Sequence, residues 1–251
     1  MSRRTRLRRG FGAASAPRSG GGYHPRGMEE IRPAALIPAY ECAATIGAVV
    51  EGAKRHLENV VVVDDGSRDG TGSEAARAGA RVVTRPGNGG KGAAIRTGLA
   101  DLLENPRVSH VVFLDGDGQH DPAEIPKFVE AARRGEAFVI GSRMAERDAI
   151  PGYRYETNRI GDMILSRMTG LRVEDGQSGF RALACGLLRR LRLRSDGYLV
   201  ETEMLLKAAP FVSRFATVPI RAIYGGPSHY RPFRDTWKIS WGAVFIKVFE
   251  T

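Results

Sequence analysis

The strongest constraint on this chain is a repeated switch, from residue 33 onward, between short β-branched runs and apolar residues at helical spacing. Residues 34–37 are an apolar run stopped by Pro38 and read as a first strand. Thr45 stands where a helix N-cap is expected, ahead of Ile46, Val49, Val50, Ala53 and Leu57 at helical spacing. Residues 60–63 form a continuous valine run, which suits a strand buried on both faces. The alternation continues with a short helix over 72–79 and a strand over 81–84. Ile95, Leu99, Leu102 and Leu103 mark a helix after a Gly-rich turn, and 108–114 a buried strand. Ile125, Phe128, Val129 and Ala132 mark a helix after Pro122, and 137–140 a further strand. This order predicts an α/β domain with a mostly parallel, doubly wound sheet, whose ligands bind beyond the carboxyl ends of the strands.

The polar motifs fall where that architecture puts a site. Pro38-Ala39-Tyr40-Glu41 follows the first strand, and Asp64-Asp65-Gly66-Ser67 the second. Asn88 and Lys91 lie in the loop 87–92. Asp115-Gly116-Asp117-Gly118-Gln119 follows the buried strand, and Gly141-Ser142-Arg143 the next one. Asp115 and Asp117 carry the clearest chemistry. Two carboxylates one residue apart repel each other unless one holds a proton or a cation lies between them. Mg²⁺ takes one or two carboxylates and completes its shell with water and phosphate oxygens. Gln119 can add an oxygen or position a water. The plain alternative is a polar Asp-Gly turn.

Asp65 is placed to accept hydrogen bonds from a base or ribose, whereas Asp64 reads more readily as a turn cap. The glycines at 87, 89, 90 and 92 let backbone amides approach phosphate, with Lys91 as a point charge; a merely flexible loop fits equally well. The loop lacks the Walker A ending, and no Gly-x-Gly-x-x-Gly follows the first strand, which argues against a nicotinamide-dependent enzyme.

Charge is distributed unevenly. The net charge is +10, but residues 1–27 hold seven arginines and no acid, leaving +3 on the rest. The basicity therefore gives no argument for a nucleic-acid partner. Residues 1–32, rich in Arg, Gly, Ser and Pro, read as a disordered basic tail. No apolar stretch follows this basic opening, so no secretory leader is expected, and no run is long enough to predict a transmembrane helix. Cys42 and Cys185 show no pairing or metal spacing and read as free thiols in a reducing compartment.

Taken in order, several of these motifs resemble the family 2 glycosyltransferases of GT-A fold. They are Pro38-Ala39-Tyr40, residues 63–67, Lys91-Gly92 with Ala94, Arg96 and Gly98, residues 115–120, Gly141-Ser142-Arg143 and Ser178-Gly179-Phe180-Arg181. The nearest branch is the dolichol- or polyprenyl-phosphate mannosyl and glucosyl synthases, and the match runs from about 33 to 224.

The resemblance implies a GT-A-like, Rossmann-like sheet with helices on both faces and an inverting transfer with Mg²⁺ or Mn²⁺. It implies that Pro38, Tyr40 and Asp65 hold the nucleoside of a GDP- or UDP-hexose. Ala39, Glu41, Lys91 and Gly116 belong to the same nucleotide-sugar site. Asp115, Asp117 and Gln119 hold the metal and diphosphate. Arg143 meets the diphosphate or the acceptor phosphate, and Asp175 lies near the sugar or acceptor. Ser178, His229 and Arg231 complete the acceptor side. Two departures stand out: Glu41-Cys42 replaces the family's frequent Asn-Glu, and the late basic segment reads 224–231 in place of Gly-x-Ser-Lys.

A lipid phosphate acceptor arrives ionised and needs no strong base; a hydroxyl acceptor needs one, for which Asp175 is the candidate. The expected organisation is a catalytic domain over 33–234 and an amphipathic helix over 235–251, where Trp237, Trp241, Val244, Phe245 and Val248 form one stripe. The expected location is cytoplasmic, at the inner face of the membrane, with peripheral membrane contact. Rival readings are a soluble glycosyltransferase with a small hydroxyl or acid acceptor, a sugar-phosphate nucleotidyltransferase, and a non-catalytic nucleotide-sugar-binding subunit.

Overall fold

The computed structural model describes residues 31–146, 152–221 and 223. The expectations for residues 1–30, for the helix over 235–251, and for His229 and Arg231 lie outside those residues. Within them the chain alternates strand and helix as its sequence pattern requires. The strands are β1 (Pro33–Ala39), β2 (Asn59–Asp64), β3 (Arg81–Thr84), β4 (His110–Phe113), β5 (Phe138–Ser142), β6 (Arg181–Ala184) and β7 (Ala216–Pro219). The helices are α1 (Ala43–Lys54), α2 (Thr71–Arg77), α3 (Lys91–Leu102), α4 (Ile125–Arg133), α5 (Gly152–Thr169), α6 (Cys185–Leu188) and α7 (Val200–Ala208).

The seven strands form one sheet in the order β3-β2-β1-β4-β6-β5-β7. All pairs are parallel except those of β6, which runs antiparallel to both β4 and β5. Alternate side chains of β1 explain the layering. Ala34 and Leu36 join Ile95 and Leu99 of α3 and Met204 and Leu205 of α7 on one face. Ala35 and Ile37 join Ile46, Val49 and Val50 of α1 and Phe128 of α4 on the other. A central strand buried on both faces has to be apolar at every position, as β1 and the valines of β2 are. Each side chain of Val or Ile size buried this way contributes about 1.5–3 kcal/mol.

Two local expectations are corrected. Pro38 does not stop β1; it lies inside it, opposite Val63 of β2. The ladder to β4 ends at Leu36, so Pro38 falls beyond it, where a missing N–H does no harm to the sheet. Thr45 does not cap α1, which begins at Ala43 behind Cys42. The orphan amides there are met instead by the loop after β2. Ser67 Oγ accepts from the Glu41 amide at 3.0 Å, Thr71 Oγ1 from Cys42 at 2.8 Å, and Asp69 Oδ2 from Ala43 at 2.9 Å.

Candidate active site

The reversal of β6 decides what meets at the carboxyl edge of the sheet. A strand entering against its neighbours begins where they end. The segment leading into β6, which contains Asp175 to Phe180, therefore arrives beside the loops that leave β1, β2, β4 and β5. Phe180 is fully buried and stacks on Phe128 at 4.3 Å between ring centroids, which fixes that segment against α4.

On the β1–β4 half, Lys91 opens α3 and extends its ammonium between two carboxylates, 2.5 Å from Asp115 Oδ1 and 2.7 Å from Glu201 Oε1. Burial works against the charge on Lys91, but Asp115 and Glu201 outweigh it and hold the ammonium protonated well above the usual lysine range. Asp115 is likewise disfavoured by burial, yet the neighbouring Lys91 keeps its carboxyl below the usual range. Burial and then the charge of Asp115 push Asp117 the other way, above it. This is the like-charge conflict that a carboxylate pair produces. Gly179 lies so close that a Cβ there would stand 2.7 Å from both Asp115 Oδ2 and Lys91 Nζ. Any side chain at that position would have to push the pair aside.

The Asp115–Gln119 loop is held by its own neighbours. Thr45 Oγ1 donates to the Gly116 carbonyl at 2.7 Å, the Gln119 amide donates to Asp117 Oδ1 at 3.0 Å, and the Asp115 amide donates to His120 Nδ1 at 3.1 Å. The last bond fixes His120 Nδ1 as an acceptor; burial, the leading cause, pulls its pKa down to about 4, and the ring is neutral at pH 7.

Asp65 faces inward at the end of β2. Its carboxylate accepts from the Gly89 and Gly90 amides, the latter at 2.7 Å, and pairs with Arg85. It thereby pins the glycine loop, and a Cβ on Gly66 would lie 2.6 Å from Gly87 Cα. Glu41 accepts from the Arg68 amide at 2.8 Å and has φ 50°, while Tyr40 stands at the exposed rim. Pro38 lines a small cavity with Lys91, Asp115, Gly179, Arg181 and Glu201.

On the β5 side, Arg143 and Asp175 form a fork. Arg143 Nε donates to Asp175 Oδ2 at 2.8 Å and Nη2 to Oδ1 at 2.7 Å, and the Arg143 amide adds a third bond at 2.9 Å. Ser178 is fully buried, and its Oγ has no hydrogen-bond partner among the described residues.

Three participants escaped the sequence reading, and a fourth, Arg181, entered it without a role. Glu201 lies in the first turn of α7 beside a second acid, Glu203, and only its burial against Lys91 tells it apart. Arg85 carries no spacing signal; Arg181, known from the sequence only as the end of the Ser178–Arg181 motif, is buried and donates to the carbonyls of Ser178, Glu201 and Gly176. Asp162 lies on α5, an element the strand–helix alternation did not reach. An acid at a position spaced for burial, three before Leu165, was the one available clue.

A metal was implied at Asp115, Asp117 and Gln119. Among the described residues no group of three or more His, Cys, Asp or Glu side chains gathers into a metal cage. Two hard oxygen donors, one with raised proton affinity, fit a cation that takes the rest of its shell from diphosphate and water.

These features define a nucleotide-sugar transferase architecture, and the comparisons agree. Residues 34–194 match the family described as Glycosyl transferase family 2. The chain is 33% identical over 223 residues to Glycosyltransferase AglJ of Haloferax volcanii, covering 86% of this chain and 70% of that protein. It is 31% identical over 200 residues to the undecaprenyl-phosphate mannosyltransferase of Micrococcus luteus, covering 74% and 81%. Among solved structures it is similar to glucosyl-3-phosphoglycerate synthase from Mycobacterium tuberculosis in complex with Mn²⁺, UDP and glucosyl-3-phosphoglycerate, with a TM-score of 0.63 and 23% identity over 88% of this chain and 84% of that one.

The chain belongs to glycosyltransferase family 2 and has the GT-A fold. It is an enzyme of the hexosyl-transferring class.

Proposed function

We propose that this enzyme moves a hexose from a GDP- or UDP-linked donor to a polyprenyl phosphate, with inversion and with Mg²⁺ or Mn²⁺. The observation that carries the acceptor assignment is the Arg143–Asp175 fork. Both oxygens of Asp175 accept hydrogen bonds from Arg143, so the acid that the sequence offered as a base for a hydroxyl acceptor is engaged in holding the guanidinium. A phosphate acceptor needs no such base. The M. luteus relative is named for an undecaprenyl phosphate, whereas the fold neighbour from M. tuberculosis is named for the small acceptor 3-phosphoglycerate.

In this reading Asp115, Asp117 and Gln119 hold the metal, which when bound neutralises charge on the departing diphosphate. The chain's own residues do the remainder. Pro38, Ala39, Tyr40 and Asp65 line the nucleoside side, with Asp65 acting through the loop it pins. Lys91 keeps a fixed positive charge beside Asp115. Arg143 meets the acceptor phosphate and offsets its repulsion from the donor. A phosphate oxygen attacks the anomeric carbon from the face opposite the diphosphate; the new C–O bond forms as the old one breaks, and its electron pair leaves with the nucleoside diphosphate. Alignment and charge screening are the main contributions.

No helix among the described residues is long and apolar enough to cross a membrane. The sequence spacing of Trp237, Trp241, Val244, Phe245 and Val248, outside the described residues, fits either packing on the catalytic domain or peripheral membrane contact, and we take the second. The test is transfer with Mg²⁺ and a panel of nucleotide sugars, with and without a short-chain polyprenyl phosphate. Product only in the presence of the lipid phosphate is expected. Equal or better transfer to 3-phosphoglycerate or another small acceptor would overturn the reading.

A further inference from the structure

We propose that Asp162 is a positioning residue for the acceptor phosphate, acting through Asp175 on Arg143. The inference rests on the assignment of Arg143 just made and extends it to a residue on another element. Asp162 lies on the buried side of α5, and its carboxylate reaches into the turn before β6. Oδ2 accepts from the Asp175 amide at 2.8 Å and Oδ1 from the Gly176 amide at 2.8 Å.

That turn needs holding. Asp175 has φ 52°, a left-handed conformation that a residue with a Cβ adopts only under constraint. The next residue passes so near α5 that a Cβ on Gly176 would stand 2.8 Å from Val173 Cγ1 and 2.9 Å from Leu165 Cδ1. Asp162 takes the N–H groups of the turn. From the opposite side Arg181 takes its carbonyls, those of Gly176 at 2.6 Å and Ser178 at 2.7 Å. Released from Asp162, Asp175 would relax to a cheaper backbone and swing its carboxylate out of the fork with Arg143. Asp162 binds the amides of the turn and not Arg143, so the route to Arg143 runs through this turn.

The charges facing Asp162 are those of Asp175 and Glu174, with the Arg181 guanidinium on the far side of the turn. Burial, the largest influence, raises its pKa against the pull of the two amides, and the result is about 6. Protonation puts a hydrogen on an oxygen that faces an N–H. The grip is therefore half lost at about pH 6, complete only well above it, and weaker still below.

The test uses full-length protein and two readouts. The first is the Arg143 Nε–H resonance in ¹⁵N NMR. Asp162→Asn should move it toward its position in Asp175→Asn, and in the wild type it should titrate with a midpoint near 6. The second is steady-state kinetics with a short-chain polyprenyl phosphate. Asp162→Asn should raise the acceptor KM roughly tenfold, the worth of one lost buried hydrogen bond, and change the donor KM less than twofold. It should also flatten the rise in acceptor KM below pH 6, and it should add nothing in an Arg143→Ala background. An unmoved resonance overturns the proposal, as does a parallel rise of both KM values, which marks general loosening. If Asp162→Asn does not fold, the wild-type titration alone decides. If Arg143→Lys leaves the acceptor KM unchanged, the assignment of Arg143 fails; the resonance still reports whether Asp162 holds the fork.

Discussion

Lys91 and Asp115 are joined across the sheet edge by an ion pair of 2.5 Å, although one opens a helix and the other leaves a strand 24 residues later. The pair gives the site a cation of its own. It also divides the labour of the two aspartates: Asp115 is already compensated, and Asp117 is the one pushed toward protonation.

Asp117→Ala should therefore reduce transfer by about a thousandfold or more, because several kcal/mol of charge stabilisation depend on it. The fold should survive, since the substitution removes one hydrogen bond from the Gln119 amide, worth about 1 kcal/mol. Mn²⁺-dependent binding of the donor, followed by calorimetry, should vanish with it. Wild-type turnover at saturating donor would disprove the metal assignment.

Lys91→Met should destabilise the protein by about 2–4 kcal/mol, because it strands two carboxylates. The lower end of that range is favoured, as the Asp115 side chain keeps 26% of its surface exposed. The loss should depend on pH. In the wild type Asp115 titrates below its unfolded value of 3.8, so its contribution is present above that pH and fades below it. Without Lys91 its pKa rises instead, and the mutant loses stability as pH increases. Melting curves should show the widest gap at neutral pH and a narrowing one toward pH 4. A gap constant from pH 4 to 8 would contradict this.

Thr45→Val removes the tie between α1 and the Gly116 carbonyl while keeping the shape of the side chain. The donor KM should rise about fivefold, with Tm falling by only a few degrees. An unchanged donor KM would mean that the Asp115–Gln119 loop holds its geometry without α1.

Removal of residues 1–27 should leave the melting temperature within a degree or two of the full chain, since the segment offers little apolar surface to bury. A large drop would show that the basic tail belongs to the folded body.

The first half of the fold was legible because its signals are local. The valines of β2 and the stripe of α1 report burial directly, and motifs at strand ends report the site edge. Pro38 misled because proline is hostile only to a strand with partners on both sides, and the sequence does not say where the β4 ladder stops. Thr45 misled because a hydroxyl in a first turn can bond forward to a distant loop as readily as to its own helix. Asp65 and Ser178 were found as residues, but which way each faces is decided by long-range packing. Beyond β5 the elements themselves were nearly silent, although their motifs were not. Neither the direction of β6 nor the reach of Asp162 into the turn before it has any periodic signature.

The antiparallel β6 has one more consequence. It separates β4, with the carboxylate pair at its end, from β5, with Arg143 at its end, and both the turn that grips Arg143 and the helix that holds that turn lie in the chain between β5 and β6. The molecule is thus modular along its sequence. On the proposed reading, Arg143, Asp175 and the Asp162 that holds them fall in one contiguous stretch, 141–180, and the proposed donor-side residues from Pro38 to Gln119 all precede it. Exchanging that stretch with a relative of different acceptor preference would transplant the preference in a single cassette and leave the donor half untouched.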